Sequence, residues 1–145
     1  MVEKLKADMI SAMKNKEKER LTVIRMVKAA MDQEHIDRKR EINDELLIDV
    51  VSKEIKTRNE SIKEFEKGNR NDLIEKTQTE IEILNKYLPE QLSNEEIIEI
   101  IDKVFAEVNA TSIKDMGKIM GTITPMVKGK ADMSVVSNLI REKLN

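Results

Sequence analysis

The chain contains no cysteine and no tryptophan. The first absence removes disulfides, thiolate nucleophiles and sulfur-ligated metals together. The second leaves Phe65, Tyr87 and Phe105 as the whole aromatic complement, which excludes a stacking platform for single-stranded bases as the main binding device. Glycine and proline are scarce too: Gly68, Gly117, Gly121, Gly129, Pro89 and Pro125 are all there are. Neither sign of charge dominates, since 26 basic side chains face 28 acidic ones at a net charge of -2. A long-range field that gathers nucleic acid without specific geometry is thereby excluded, and any RNA contact needs a local basic patch. No long uninterrupted apolar run is present, so no membrane partner is expected. The amino end lacks the hydrophobic stretch that directs secretion, and the expected compartment is the cytoplasm.

What is present is helix-forming material. Long segments rich in Glu, Lys, Ile, Leu and Met run between the few breakers, and strand-like alternation never holds for long. Asn-Gly and Asp-Gly hairpin turns are missing, so the fold class is all-α. The spacing predicts a helix over Glu3 to Met13 with Leu5, Met9 and Met13 on one face, and a second carrying Leu21, Ile24, Val27 and Met31. The charged stretch Asp32 to Arg40 reads as a solvated loop or a protruding helix end. A long third helix covers Asp44 to Lys67, and a fourth Asp72 to Tyr87. The third helix's stripe runs Leu47, Val51, Ile55, Arg58, Ile62 and Phe65, which puts Arg58 on the buried-facing side.

Pro89 breaks the pattern. Beyond it, Ser93 with Glu96 and Ser112 with Asp115 form capping boxes, and Asp132 caps the last helix. The sequence leaves open where the sixth helix ends relative to Pro125, because an interior proline removes a hydrogen bond. The expected architecture is an N-terminal domain of four long antiparallel helices over residues 1–90, then a three-helix bundle over residues 91–145.

No catalytic constellation is visible. His35, the only histidine, stands in a charged stretch with no serine or cysteine arrangement that needs it. The carboxylates lack the histidine pattern of a metal site, so neither a catalytic residue, a metal nor a cofactor is expected. If the third and fourth helices fold back about Gly68, Arg58 and Glu80 lie at comparable distances from the turn and suit a structural ion pair. Arg70, just past that turn, is placed either to clamp a phosphate or carboxylate or to tie the turn down. Tyr87-Leu88-Pro89 reads as an anchor at the domain junction. Met9, Met13, Met31, Met116 and Met120 fall at core positions.

The strongest functional hint lies near the carboxy end. Between residues 114 and 130, Lys114, Lys118, Lys128 and Lys130 stand against a single acid, Asp115. Gly117 and Gly121 are four apart in a helical stretch, where each glycine costs about 1 kcal/mol relative to alanine. Bare backbone there admits another helix or a sugar-phosphate chain. Gly129 offers a turn whose amides, with the amino end of the last helix, suit a phosphate, although Asp132 competes for the same amides.

These elements together carry a resemblance. Arg58-Asn59-Glu60-Ser61-Ile62, Gly68-Asn69-Arg70, Glu80-Ile81, Tyr87-Leu88-Pro89, Met116-Gly117-Lys118-Ile119-Met120 and Lys128-Gly129-Lys130-Ala131-Asp132 resemble the GatB/YqeY family over essentially the whole chain. From about Ser93 on, the chain is similar to the tail domain of the B subunit of the tRNA-dependent Asp/Glu amidotransferase. That enzyme converts glutamate or aspartate mischarged on tRNA into the amide. Through Gly117, Met120, Gly129, Ala131 and Asp132, which match the tail motif, the resemblance implies tRNA contact and a partner in the translation or amidotransferase system. It also brings a carbon-nitrogen ligase activity with glutamine as amido-N-donor. This chain has no nucleophile, ATP-binding loop or metal cluster for that chemistry, which is expected only through a partner. The family usually has two glycines before the arginine at Arg70, and arginine where Lys130 stands. Asn69 can still take a left-handed conformation, while Lys130 keeps the charge without the bidentate fork. The expected function is a non-catalytic accessory module that contacts tRNA or other RNA, with DNA excluded and protein-protein adaptation as the alternative.

Overall fold

The computed structural model describes residues 1–144. Its first four helices are α1 (Val2–Lys14), α2 (Lys18–Arg38), α3 (Asp44–Lys67) and α4 (Asn71–Asn85). They are followed by α5 (Asn94–Val108), a 3-10 turn (Ile113–Asp115), α6 (Met116–Val127) and α7 (Met133–Leu144). The fold is all-α, as the periodicity predicts: a bundle of long helices, then a compact three-helix cluster. The chain divides into two compact units between Leu88 and Pro89.

The first unit closes over Leu5, Val23, Ile24, Val27, Met31, Leu46, Leu47, Val50, Val51, Leu84 and Tyr87. Helix α3 starts at Asn43, whose side-chain oxygen accepts from the Leu46 amide at 3.0 Å and satisfies an otherwise orphaned donor. Helix α2 continues through the charged stretch, which is therefore a protruding helix end. Its last turn is closed by Lys39 in the left-handed region at φ 54°. His35 Nδ1 donates to the Arg40 carbonyl at 2.7 Å, so the lone histidine is occupied in that turn. Asn69, at φ 55°, makes the reversal between α3 and α4.

One packing expectation needs correction. Met13 is 51 % exposed, and Ala12 takes the buried place on α1. Each four-residue step advances about 40° beyond a full turn, so the Leu5-Met9-Met13 row drifts off the core, whereas Ala12 returns to within about 20° of Leu5. Tyr87 belongs to the core of the first unit and is 2 % exposed. Its hydroxyl donates to the Asp8 carboxylate, which also meets Arg20 Nη2 at 3.1 Å. A buried phenol needs such a partner, and α1 supplies it.

The second unit is built on Ile97, Ile101, Val104, Ile119, Ile123, Val127, Val136 and Ile140. The capping box at α5 is formed: Ser93 Oγ accepts from the Glu96 amide at 3.2 Å, and Glu96 Oε1 from the Ser93 amide at 3.3 Å. Residues 89–92 are tied to the turn after α6. Gln91 Nε2 donates to the Gly129 carbonyl at 2.7 Å, and the Leu92 amide to the Lys130 carbonyl at 2.8 Å. Helix α6 runs past Pro125 to Val127. The proline has no N–H for the Gly121 carbonyl one turn back, and this is tolerable because both residues are exposed to water. Among the described residues, no helix is long and apolar enough to cross a membrane.

Candidate nucleic-acid interface

Helix α6 has two unlike faces. Ile119, Ile123 and Val127 recur every four residues and are buried in the second unit. Gly117, Lys118, Gly121, Thr124 and Pro125 are exposed on the side away from them. A Cβ added at Gly117 or Gly121 meets nothing within 4 Å. Neither glycine has a positive φ, so neither packing nor conformation within the chain demands it. Each nonetheless forgoes about 1 kcal/mol of helix propensity.

The four lysines bracket this bare strip, and all are exposed. Lys114 lies in the 3-10 turn and Lys118 in the first turn of α6, while Lys128 and Lys130 follow its end. The 12 residues of α6 extend about 18 Å at the α-helical rise. Two positive charges thus stand at each end of a ridge rather than in one cluster. Asp115 is turned back onto the backbone: its carboxylate accepts from the amides of Thr111 at 2.9 Å and Ser112 at 3.3 Å. Those bonds hold its pKa below the usual carboxylate range, and its charge partly offsets that of Lys118.

Gly129 is half-buried with φ 76°. The phosphate cradle suggested around it has amides already in use. The Lys130 amide donates to the Val127 carbonyl at 2.8 Å, and the Ser134 amide to Asp132 Oδ1 at 2.9 Å. Asp132 serves the last helix there as its cap. The approachable part of the segment is therefore the α6 ridge with its lysines.

The other candidate residues lie in the first unit. Arg70 folds its guanidinium onto Asp72, with Nε 3.3 Å from Oδ1 and Nη2 3.2 Å from Oδ2. This pairing raises the arginine's pKa and lowers that of Asp72, and it ties down the start of α4. Arg58 is only 8 % exposed. Its Nη1 donates to Glu54 Oε2 at 2.6 Å and to the Glu54 carbonyl at 3.2 Å. Glu80 Oε1 stands 3.5 Å from Arg58 Nε, an ion pair without hydrogen-bond alignment. Among the described residues, no group of three or more His, Cys, Asp or Glu is arranged to hold a metal ion.

Comparison with known proteins adds to this geometry. The chain is 31% identical over 142 residues to altered inheritance of mitochondria protein 41 of Pyrenophora tritici-repentis, covering 96% of this chain and 78% of that protein. It is 41% identical over 88 residues to the protein of the same name in Candida glabrata, covering 59% of this chain and 48% of the relative. For Lachancea thermotolerans the identity is 40% over 88 residues, covering 60% and 47%. The match thus spans about half the length of the yeast relatives. All three carry a mitochondrial designation, and this overturns the cytoplasmic expectation. The physical reason is specific: mitochondrial transit segments are amphipathic and Arg- and Ser-rich, so a missing hydrophobic leader does not select the cytoplasm. The family model of YqeY-like proteins matches residues 2–144, and on that full-length match the chain belongs to the YqeY-like family.

Proposed function

We propose that this chain is a non-catalytic accessory module that contacts tRNA or another RNA through the exposed ridge of α6. One observation carries the reading: Gly117 and Gly121 are open to solvent, with no neighbour that an added Cβ would touch. A helix that leaves its backbone bare at a cost in propensity keeps that surface for something outside the chain. Lysines at both ends of the ridge supply charge for phosphates, while the bare backbone lets a sugar-phosphate chain come close. The resemblance of the second unit to the amidotransferase B-subunit tail supports tRNA as the RNA, and amide-transfer chemistry then belongs to a partner.

The test is tRNA binding by the full chain, measured by fluorescence anisotropy across a salt series. Four phosphate contacts on a duplex correspond to a log–log salt slope of about −3.6. Lys118→Glu with Lys130→Glu removes two of them, so the slope falls to about half and binding weakens more than tenfold while helicity by circular dichroism stays unchanged. Binding that ignores both salt and these reversals contradicts the proposal. A protein partner retained by the chain after nuclease treatment, with no RNA affinity, reassigns the ridge to protein docking.

A further inference from the structure

The guanidinium of Arg58 is buried and under-supplied with acceptors. An arginine carries five N–H donors in a fixed fork. Here Nη1 is served by Glu54, and Nε has no hydrogen-bond partner although Glu80 stands nearby. Nη2 meets only the thioether sulfur of Met26, at 3.7 Å. A thioether is a weak acceptor, and a buried charged donor left short of acceptors carries a desolvation cost. Met26 itself is 45 % exposed, so a small oxidant reaches the residue whose sulfur faces the buried cation. Met1, Met13 and Met126 are also exposed, but among the described residues only Met26 has its sulfur against an arginine.

We propose that Met26 is a reversible oxidation site whose sulfoxide gives Arg58 Nη2 a strong acceptor and tightens α2 against α3. A hydroperoxide is the co-reactant. The sulfur lone pair attacks one peroxide oxygen, the O–O bond breaks and an S–O bond forms. Sulfur loses two electrons, and the displaced oxygen leaves with a proton as water or an alcohol. A dithiol reverses the step, becoming a disulfide as the oxygen departs as water. Methionine oxidation ordinarily loosens a core, because it puts a polar group among apolar ones. At Met26 the sign inverts, since the new oxygen is a strong acceptor beside an Nη2 that has only a thioether.

The experiment treats the full chain with hydrogen peroxide, maps oxidised methionines by peptide mass, and follows thermal unfolding. Met26→Leu under the same treatment carries the damage at the other methionines alone. The expected result is that oxidation leaves the wild-type Tm about 3 °C higher, relative to its untreated form, than it leaves the leucine variant. Met26→Gln, whose amide carbon takes the sulfur's place and carries its oxygen where the sulfoxide oxygen would be, raises Tm without peroxide, and Arg58→Lys abolishes that gain. Three results overturn the proposal: Met26 unmodified when Met13 is fully oxidised, an equal or greater Tm loss in the treated wild type, or a Met26→Gln chain that melts no higher than wild type.

Discussion

The two units break the ordinary rules of helix packing in opposite places. The first unit buries polar groups: Arg58 and Thr77 lie inside it, and Tyr87 puts a hydroxyl against Asp8. Each exception has partners within the same unit. The second unit has a core of isoleucine and valine alone, and its exceptions are on the outside, in two glycines that nothing in the chain requires. An internal irregularity whose partners lie in the same unit is architecture, whereas an external one that costs stability and contacts nothing points outward.

The largest test of this contrast is the removal of Arg58. Arg58→Ala strands Glu54 and Glu80 beside a cavity and is expected to lower stability by about 3–5 kcal/mol in urea unfolding. Replacing Arg58, Glu54 and Glu80 together with apolar residues of similar volume restores most of that loss. A negligible effect of the single change would erase the distinction between a charge-bearing interior and an apolar one. In the second unit, the matching disruption is Ile123→Ala, expected to cost about 2–5 kcal/mol through lost burial and a cavity.

Both units carry carboxylates with lowered pKa values, Asp72 in the first and Asp115 in the second, and the first unit adds an alkaline response. Burial foremost, with the Asp8 carboxylate second, raises the Tyr87 pKa well above its ordinary value. Stability from a group with a raised folded pKa is intact below its unfolded pKa, about 10 for tyrosine, and is lost as pH climbs beyond it. The first unit should therefore loosen in alkali, and Tyr87→Phe should flatten that dependence. Asp115 has the opposite sign: backbone bonds from Thr111 and Ser112 lower its pKa. The stability it adds is present above about pH 3.9 and is lost as pH falls below that value, so Asp115→Asn should weaken the acid dependence. Amide exchange at residues 111–116, followed against pH, reads the second effect. The smallest expected change is a gain: Gly117→Ala and Gly121→Ala should each stabilise the second unit by about 0.5–1 kcal/mol.

Much of the fold is legible in residue spacing, because apolar rows at helical period and strong caps dictate local structure. Ser93 with Glu96, and the Arg58 position on the α3 stripe, are examples in which local chemistry and tertiary outcome agree. The packing of α1 is less legible, since Met13 lies on a row of fours that drifts off the core. Likewise, no local signal pairs Tyr87 with Asp8, or Met26 with Arg58, because each pair joins distant helices. A cavity of about 940 Å³ lined by Leu5, Met9, Met31 and Ile42 is invisible in the sequence for the same reason. At the α6 ridge, composition reveals the glycines and lysines, but only three-dimensional packing separates a bare surface from a close helix contact.

Whether the α6 ridge is an RNA surface is decided by the tRNA affinity of the Gly117→Ala/Gly121→Ala chain measured beside its thermal stability. Opposite movements are expected: a higher Tm, and binding at least tenfold weaker because two methyl groups stand where backbone must be approached. A chain that gains stability and binds tRNA as tightly as before would contradict that role.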